Sequence, residues 1–157
     1  MVITVALFVI SLLFIMAWLS KSGHAPGLSN DSLTPCPNKP NCICSEYDQD
    51  TPHYLAPLPI PAAKMPSAMH AIEVSITSLG GEIQTQDDHY LAATFSSSFF
   101  GFIDDVELRI DSDKHLIHIR SAARIGHSDF GVNQKRAHAL KASLRQHFEQ
   151  TANSSSS

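Results

Sequence analysis

Hydrophobic positions along the 157-residue chain follow three regimes, and each predicts a different element. Across residues 2–19 the apolar run is broken only by Thr4 and Ser11 and carries no charge. Between Met65 and Leu79 the apolar residues return every three or four positions (Met65, Met69, Ile72, Ile76, Leu79). That is the period of a helix with one buried face, and Gly80-Gly81 supplies its stop. From Glu82 onward the period falls to two, predicting strands over 82–86, 90–97, 105–111 and 115–122, with short polar turns "DDH" and "DSDK" between them. The helical period returns at Ala137, Leu140, Leu144 and Phe148, which gives a last helix over about 132–150.

Helix, antiparallel meander and helix make an α+β domain: two layers, a four- to five-stranded antiparallel sheet, and two helices on one face. The fifth strand would come from "HYLAPL" at 53–58, an edge position where proline is tolerated. The third and fourth strands define their faces sharply. Val106, Leu108 and Ile110 alternate with Asp105, Glu107, Arg109 and Asp111, while Ile117 and Ile119 alternate with His118 and Arg120. A turn centred on Ser112-Asp113 would set Val106 opposite Ile119, Leu108 opposite Ile117, Asp105 opposite Arg120 and Glu107 opposite His118. One face is then greasy and the other ionic.

The run at 2–19 roughly matches the ~20 residues that a helix needs to cross the hydrocarbon core. It exceeds the apolar core of a cleaved secretory signal, and no Lys or Arg precedes it. An uncleaved signal-anchor is expected over 1–20, a flexible Gly/Ser/Pro/Asn linker over 21–34, the folded domain over 35–150 and a frayed, disordered tail over 151–157. The prolines of 35–61 suggest an extended segment wrapping the domain edge.

All three cysteines lie in "PCPNKPNCICSE". A Cys36–Cys42 bridge would close a tight, proline-stiffened loop in an oxidising compartment. Reduced structural thiols and a metal site are the alternatives, although the spacing lacks two Cys-x2–4-Cys pairs or finger-spaced histidines. Cys44 would be the odd thiol. Lys21, just after the apolar run, favours a cytoplasmic domain, whereas the cysteines favour the extracytoplasmic (periplasmic) side, which is the expectation adopted. A net charge of −4 offers no footprint for nucleic acid.

Only 17% of the chain is charged, yet Asp104, Asp105, Glu107, Arg109, Arg120, Arg124, Asp129 and Arg136 crowd one stretch, with Ser121 and Asn133 among them. Three uses compete. As an enzyme, Asp104, Asp105 and Glu107 offer the oxygens that Mg²⁺ or Ca²⁺ prefers, with Arg120 and Arg124 beside them, in a hydrolase or metal-assisted reaction. The neighbouring arginines count against a cation, and no nucleophile elbow is present. As structure, Arg120 would pair with Asp105, and Arg124 or Arg136 with Asp104 or Asp129, while Asp129 and Asn133 satisfy the start of the last helix. As a binding site, Phe95, Phe99, Phe100 and Phe102 would stand at the mouth of an apolar pocket between the layers, with arginines for an anionic group.

Three stretches carry a family resemblance: "CPNKPNC" (36–42), "FGFIDDVELRID" (100–111) and "IRSAARIGHSDFGVNQKR" (119–136). In this order they resemble the domain of unknown function 1499 family of bacteria and plastids, over about 35–148. Members are similar in carrying a membrane segment ahead of the domain. Cys44 departs from the serine usual in the family. The resemblance implies no established activity. The expectation is a membrane-anchored and non-enzymatic domain without cofactor or metal, binding a small apolar or anionic, lipid-like ligand or a membrane protein partner.

Overall fold

The structure, a computed structural model, describes residues 2–153. It opens with α1 (Val2–Ser20), a 19-residue helix apolar on every side and long enough to cross a membrane. Only Ala17 and Ser20, in its last turn, are buried against the rest of the protein.

The domain proper is built on six strands: β3 (Cys42–Cys44), β4 (Leu58–Pro59), β5 (Glu82–Gln86), β6 (Tyr90–Ser96), β7 (Ile103–Asp111) and β8 (Leu116–Ala123). They form one antiparallel sheet in the order β3-β8-β7-β6-β5, with β4 also on β8. The count exceeds the expected four or five because β3 and β4 share the outer edge of β8, β3 against 120–122 and β4 against 116–117. The α2 helix (Ala68–Ser78), entered through a 3-10 turn at Ala62–Ser67, and α3 (Val132–Asn153) cover one face. Residues 151–153 of the expected tail are therefore helical, and 154–157 lie outside the described residues.

Strand alternation decides what each face holds. Leu91, Ala93 and Phe95 of β6, Val106, Leu108 and Ile110 of β7, and Ile117 and Ile119 of β8 form the core with Ile72 and Ile76 of α2 and Leu140, Leu144 and Phe148 of α3. Each Val, Leu, Ile or Phe among them contributes about 1.5–3 kcal/mol when removed from water. Gly81, between α2 and β5, is required by contact: a Cβ there would stand 2.7 Å from the Phe95 ring and 2.8 Å from Ile76.

The β7–β8 register differs from the expected one by two residues. Val106 faces Ser121, Leu108 faces Ile119, Glu107 faces Arg120, and Asp105 faces Ala122. The cause is the turn, which holds four residues, 112–115, rather than two between the paired Asp111 and Leu116. Asp111 Oδ1 accepts from the Lys114 N–H at 3.0 Å, and His115 takes a left-handed φ of 53° to close the loop. A slip of two keeps every side chain on its own face, so the greasy and ionic faces stand as expected while their partners change.

Residues 21–34, which composition suggests to be a tether, contain a small hairpin, β1 (Leu28–Ser29) with β2 (Ser32–Leu33). The hairpin lies on the face of the sheet away from the helices, where Leu33 packs against Cys44, Tyr90 and Ala92 and is fully buried. The sheet is thus covered on both sides.

Candidate functional site

Strand parity splits the charged cluster between the two faces. Asp104 projects with Val106 and Leu108 toward α3, whereas Asp105, Glu107 and Arg109 project the other way, beneath the hairpin.

On the hairpin side, Glu107 is fully buried. Its Oε1 accepts from the Gly27 N–H at 2.9 Å and the Tyr90 hydroxyl at 2.7 Å, and Oε2 accepts from Arg120 Nη1 at 2.9 Å. Gly27 adopts φ 78°, a left-handed conformation that glycine takes without a Cβ penalty. Arg124 grips Asp105 with two bonds, Nε to Oδ2 at 2.9 Å and Nη2 to Oδ1 at 2.7 Å. Its remaining nitrogen, Nη1, donates to the Ser20 carbonyl at the end of α1 at 3.0 Å. Arg109 forks onto Glu46 at 2.7 and 3.2 Å. Burial works against its charge, yet Glu46 and Asp111 beside it raise its pKa above the ordinary value. The expected Arg120–Asp105 pair is therefore corrected to Arg120–Glu107 and Arg124–Asp105, a direct result of the register.

Burial sets the titration of this layer. It pushes the Cys44 thiol up to about 11 and raises the Tyr90 phenol, which Glu107 raises further. It lowers the His118 imidazole, although Glu46 pulls the other way. A local reason is visible. His118 Nδ1 faces the Ser45 carbonyl at 3.2 Å, but Nε2 is buried with no partner among the described residues, so a second proton would find none of them to bond.

On the helix side, Asp104 accepts from Arg136 Nη1 at 3.0 Å, and that guanidinium lies 4.7 Å from the centre of the Phe95 ring. Burial raises the Asp104 carboxyl pKa against the pull of Arg136. Arg136 also donates to Asn133 Oδ1 at 2.8 Å, which accepts from the Ser121 hydroxyl at 2.5 Å as well. Asp129 accepts from the backbone of Gly131 (3.0 Å) and Asn133 (2.8 Å), satisfying the first N–H groups of α3.

Asp104, Asp105, Glu107 and Glu46 are thus each held by an arginine. Ser121 is bonded to an amide rather than a base. Among the described residues no group of three His, Cys, Asp or Glu side chains is placed to hold a metal ion. Glu46 was not singled out from the sequence; its partner Arg109 lies 63 positions away, and no local pattern links them. Cys36 and Cys42 are joined by a disulfide, with Cys44 a buried free thiol.

The four phenylalanines separate. Phe95 belongs to the core, whereas Phe99, Phe100 and Phe102 lie in the loop between β6 and β7, where Phe100 meets Phe99 and Phe102 edge-on at 4.8 and 6.2 Å. A groove of about 480 Å³ opens on the hairpin side of the sheet. Lys21, His24 and Ala25 form one wall, Gln84 and Thr94 lie on its β5–β6 floor, and Asp105 and Arg124 stand at one end.

A comparison with curated proteins returns no match. A family described as "Protein of unknown function (DUF1499)" matches residues 32–144, which takes in β3 to β8, the Cys36–Cys42 loop, the charged layers and most of α3. The motifs that carry the resemblance thus fall inside a match covering most of the chain, and the protein belongs to the DUF1499 family.

Proposed function

We propose that the protein is a membrane-anchored, non-catalytic binding module, in which the charged cluster is structural and the groove beside Lys21 receives an anionic amphiphile. One observation carries this reading: the groove wall, 21–25, continues directly from α1, so the opening stands where that helix ends. Lys21 and His24 suit an anionic headgroup, and Ala25 with the Thr94 methyl suits a short apolar stretch. The carboxylates a hydrolase or metal-assisted enzyme would use are neutralised by arginines within hydrogen-bond distance. The Cys36–Cys42 bridge favours a domain on the extracytoplasmic side.

The test is a native mass spectrum of the full chain released gently from detergent micelles. Added mass matching an anionic lipid, lost in Lys21→Glu and in Thr94→Trp, supports the reading. An apo mass, or a ligand indifferent to both changes, overturns it. Hydrolytic activity that disappears in Asp105→Asn would instead favour the enzyme.

A further inference from the structure

We infer that the end of the domain beside α1 inserts into the bilayer interface, with Phe99 and Phe130 seated among the lipids. The inference rests on α1 being a retained membrane span and is independent of any ligand in the groove.

Topology places the two loops together. β6 ends at Ser96 and β7 begins at Ile103, while β8 ends at Ala123 and α3 begins at Val132. In an antiparallel sheet the 97–102 and 124–131 loops therefore share one end, opposite the 112–115 turn. α1 docks at that same end. Ser20 Oγ accepts from the Ile103 N–H at 3.0 Å, and Arg124 bonds the Ser20 carbonyl.

The depth follows from an aromatic contact. The Phe14 ring of α1 meets Phe100 edge-on, with centroids 5.6 Å apart. At 1.5 Å per residue, Phe14 lies about 9 Å along the helix from Ser20. Trp18 is 70% exposed and occupies the position of an interfacial belt residue near the end of the span. A loop that touches Phe14 reaches below that level. Phe99, next to Phe100, is 84% exposed, and Phe130 in the companion loop is 92% exposed. Phe130 also holds a left-handed φ of 54°, which a side chain of this size rarely adopts. An exposed aromatic ring carried on an uncommon backbone conformation points to use of that ring outside the protein. The occupant is lipid, because ring contacts run from Phe14 of the helix that spans it through Phe100 to Phe99, and Phe130 stands exposed in the loop at the same end.

The experiment uses the full chain with Trp18→Phe, so that one introduced tryptophan reports alone. Phe99→Trp, Phe130→Trp and, at the opposite end, Lys114→Trp are each reconstituted in phosphatidylcholine–phosphatidylglycerol vesicles with or without bromine at acyl positions 6 and 7. Blue-shifted emission quenched severalfold by the brominated lipid at 99 and 130, with none at 114, is expected. A water-like spectrum at both sites in protein that resists carbonate extraction overturns insertion while leaving the anchor in place. Quenching at only one of the two overturns the two-loop face. Release of the chain by carbonate overturns the anchor and the insertion together.

Discussion

Glu107 accepts a hydrogen bond from the backbone N–H of Gly27, 80 positions earlier in the chain, and the same carboxylate neutralises Arg120 in a site closed to water. Breaking such a buried pair from one side leaves an uncompensated charge, which costs about 3–5 kcal/mol. Glu107→Gln should therefore lower the melting midpoint of the full chain in detergent by about 10 °C. Glu107→Met with Arg120→Met should lose less than the single change, because no buried charge is left behind. A double variant as unstable as the single would mean that the cost lies in shape rather than in charge.

The contact of Ser20 with Ile103 gives a local readout of whether α1 stays on the domain. Ser20→Ala removes the acceptor of the Ile103 N–H without adding bulk. A hydrogen bond of this kind contributes about 0.5–1.5 kcal/mol. Amide hydrogen exchange at Ile103 should accelerate by roughly 2- to 13-fold, with little change at Leu108 in the middle of the strand.

His118 gives the protein a pH dependence on the mildly acidic side. Burial holds its native pKa below the ordinary value, so the unfolded chain binds the proton more readily below about 6.5. The contribution is fully present above that pH and is lost as the pH falls toward the native value, with a slope of at most about 1.4 kcal/mol per pH unit. Denaturant titrations at pH 7.5 and 5.5 should show a loss that is smaller in His118→Gln. Equal losses in the two proteins would place the dependence on other groups.

The thiols should sort cleanly. With Cys44 buried and its pKa near 11, iodoacetamide at pH 8 should add nothing to the folded protein, one group after unfolding and three after unfolding with reductant. Opening the Cys36–Cys42 loop should cost about 2.4 kcal/mol by chain entropy, read as a lower midpoint in Cys36→Ser with Cys42→Ser.

Much of the domain was legible in its periodicities. The alternation around Val106 and Ile119 assigned both faces of β7 and β8 correctly even though the pairing was off by two, because a two-residue slip leaves parity unchanged. Turn length was the missing quantity, and it depended on the left-handed conformation of His115, which composition does not announce. The Asp104–Arg136 pair was among those anticipated; the Arg109–Glu46 pair was not. The hairpin at 28–33 escaped because its reason for forming is not local: Leu33 is buried by Tyr90 and Ala92, and Gly27 is held by Glu107. Gly, Ser and Asn in that stretch read as a tether until the acidic strand that fastens it is known.

The covering hairpin also imposes an order of events. It leaves the ribosome directly after α1, but the strands it must close over, β6 to β8, are made some sixty to ninety residues later. Until then Leu33 lacks Tyr90 and Ala92 and the Gly27 amide lacks Glu107, and the short-range Cys36–Cys42 bridge can form well before the long-range contacts on either side of it. What is synthesised first closes last. The ionic layer is sealed only when the C-terminal half has folded against a segment made long before it.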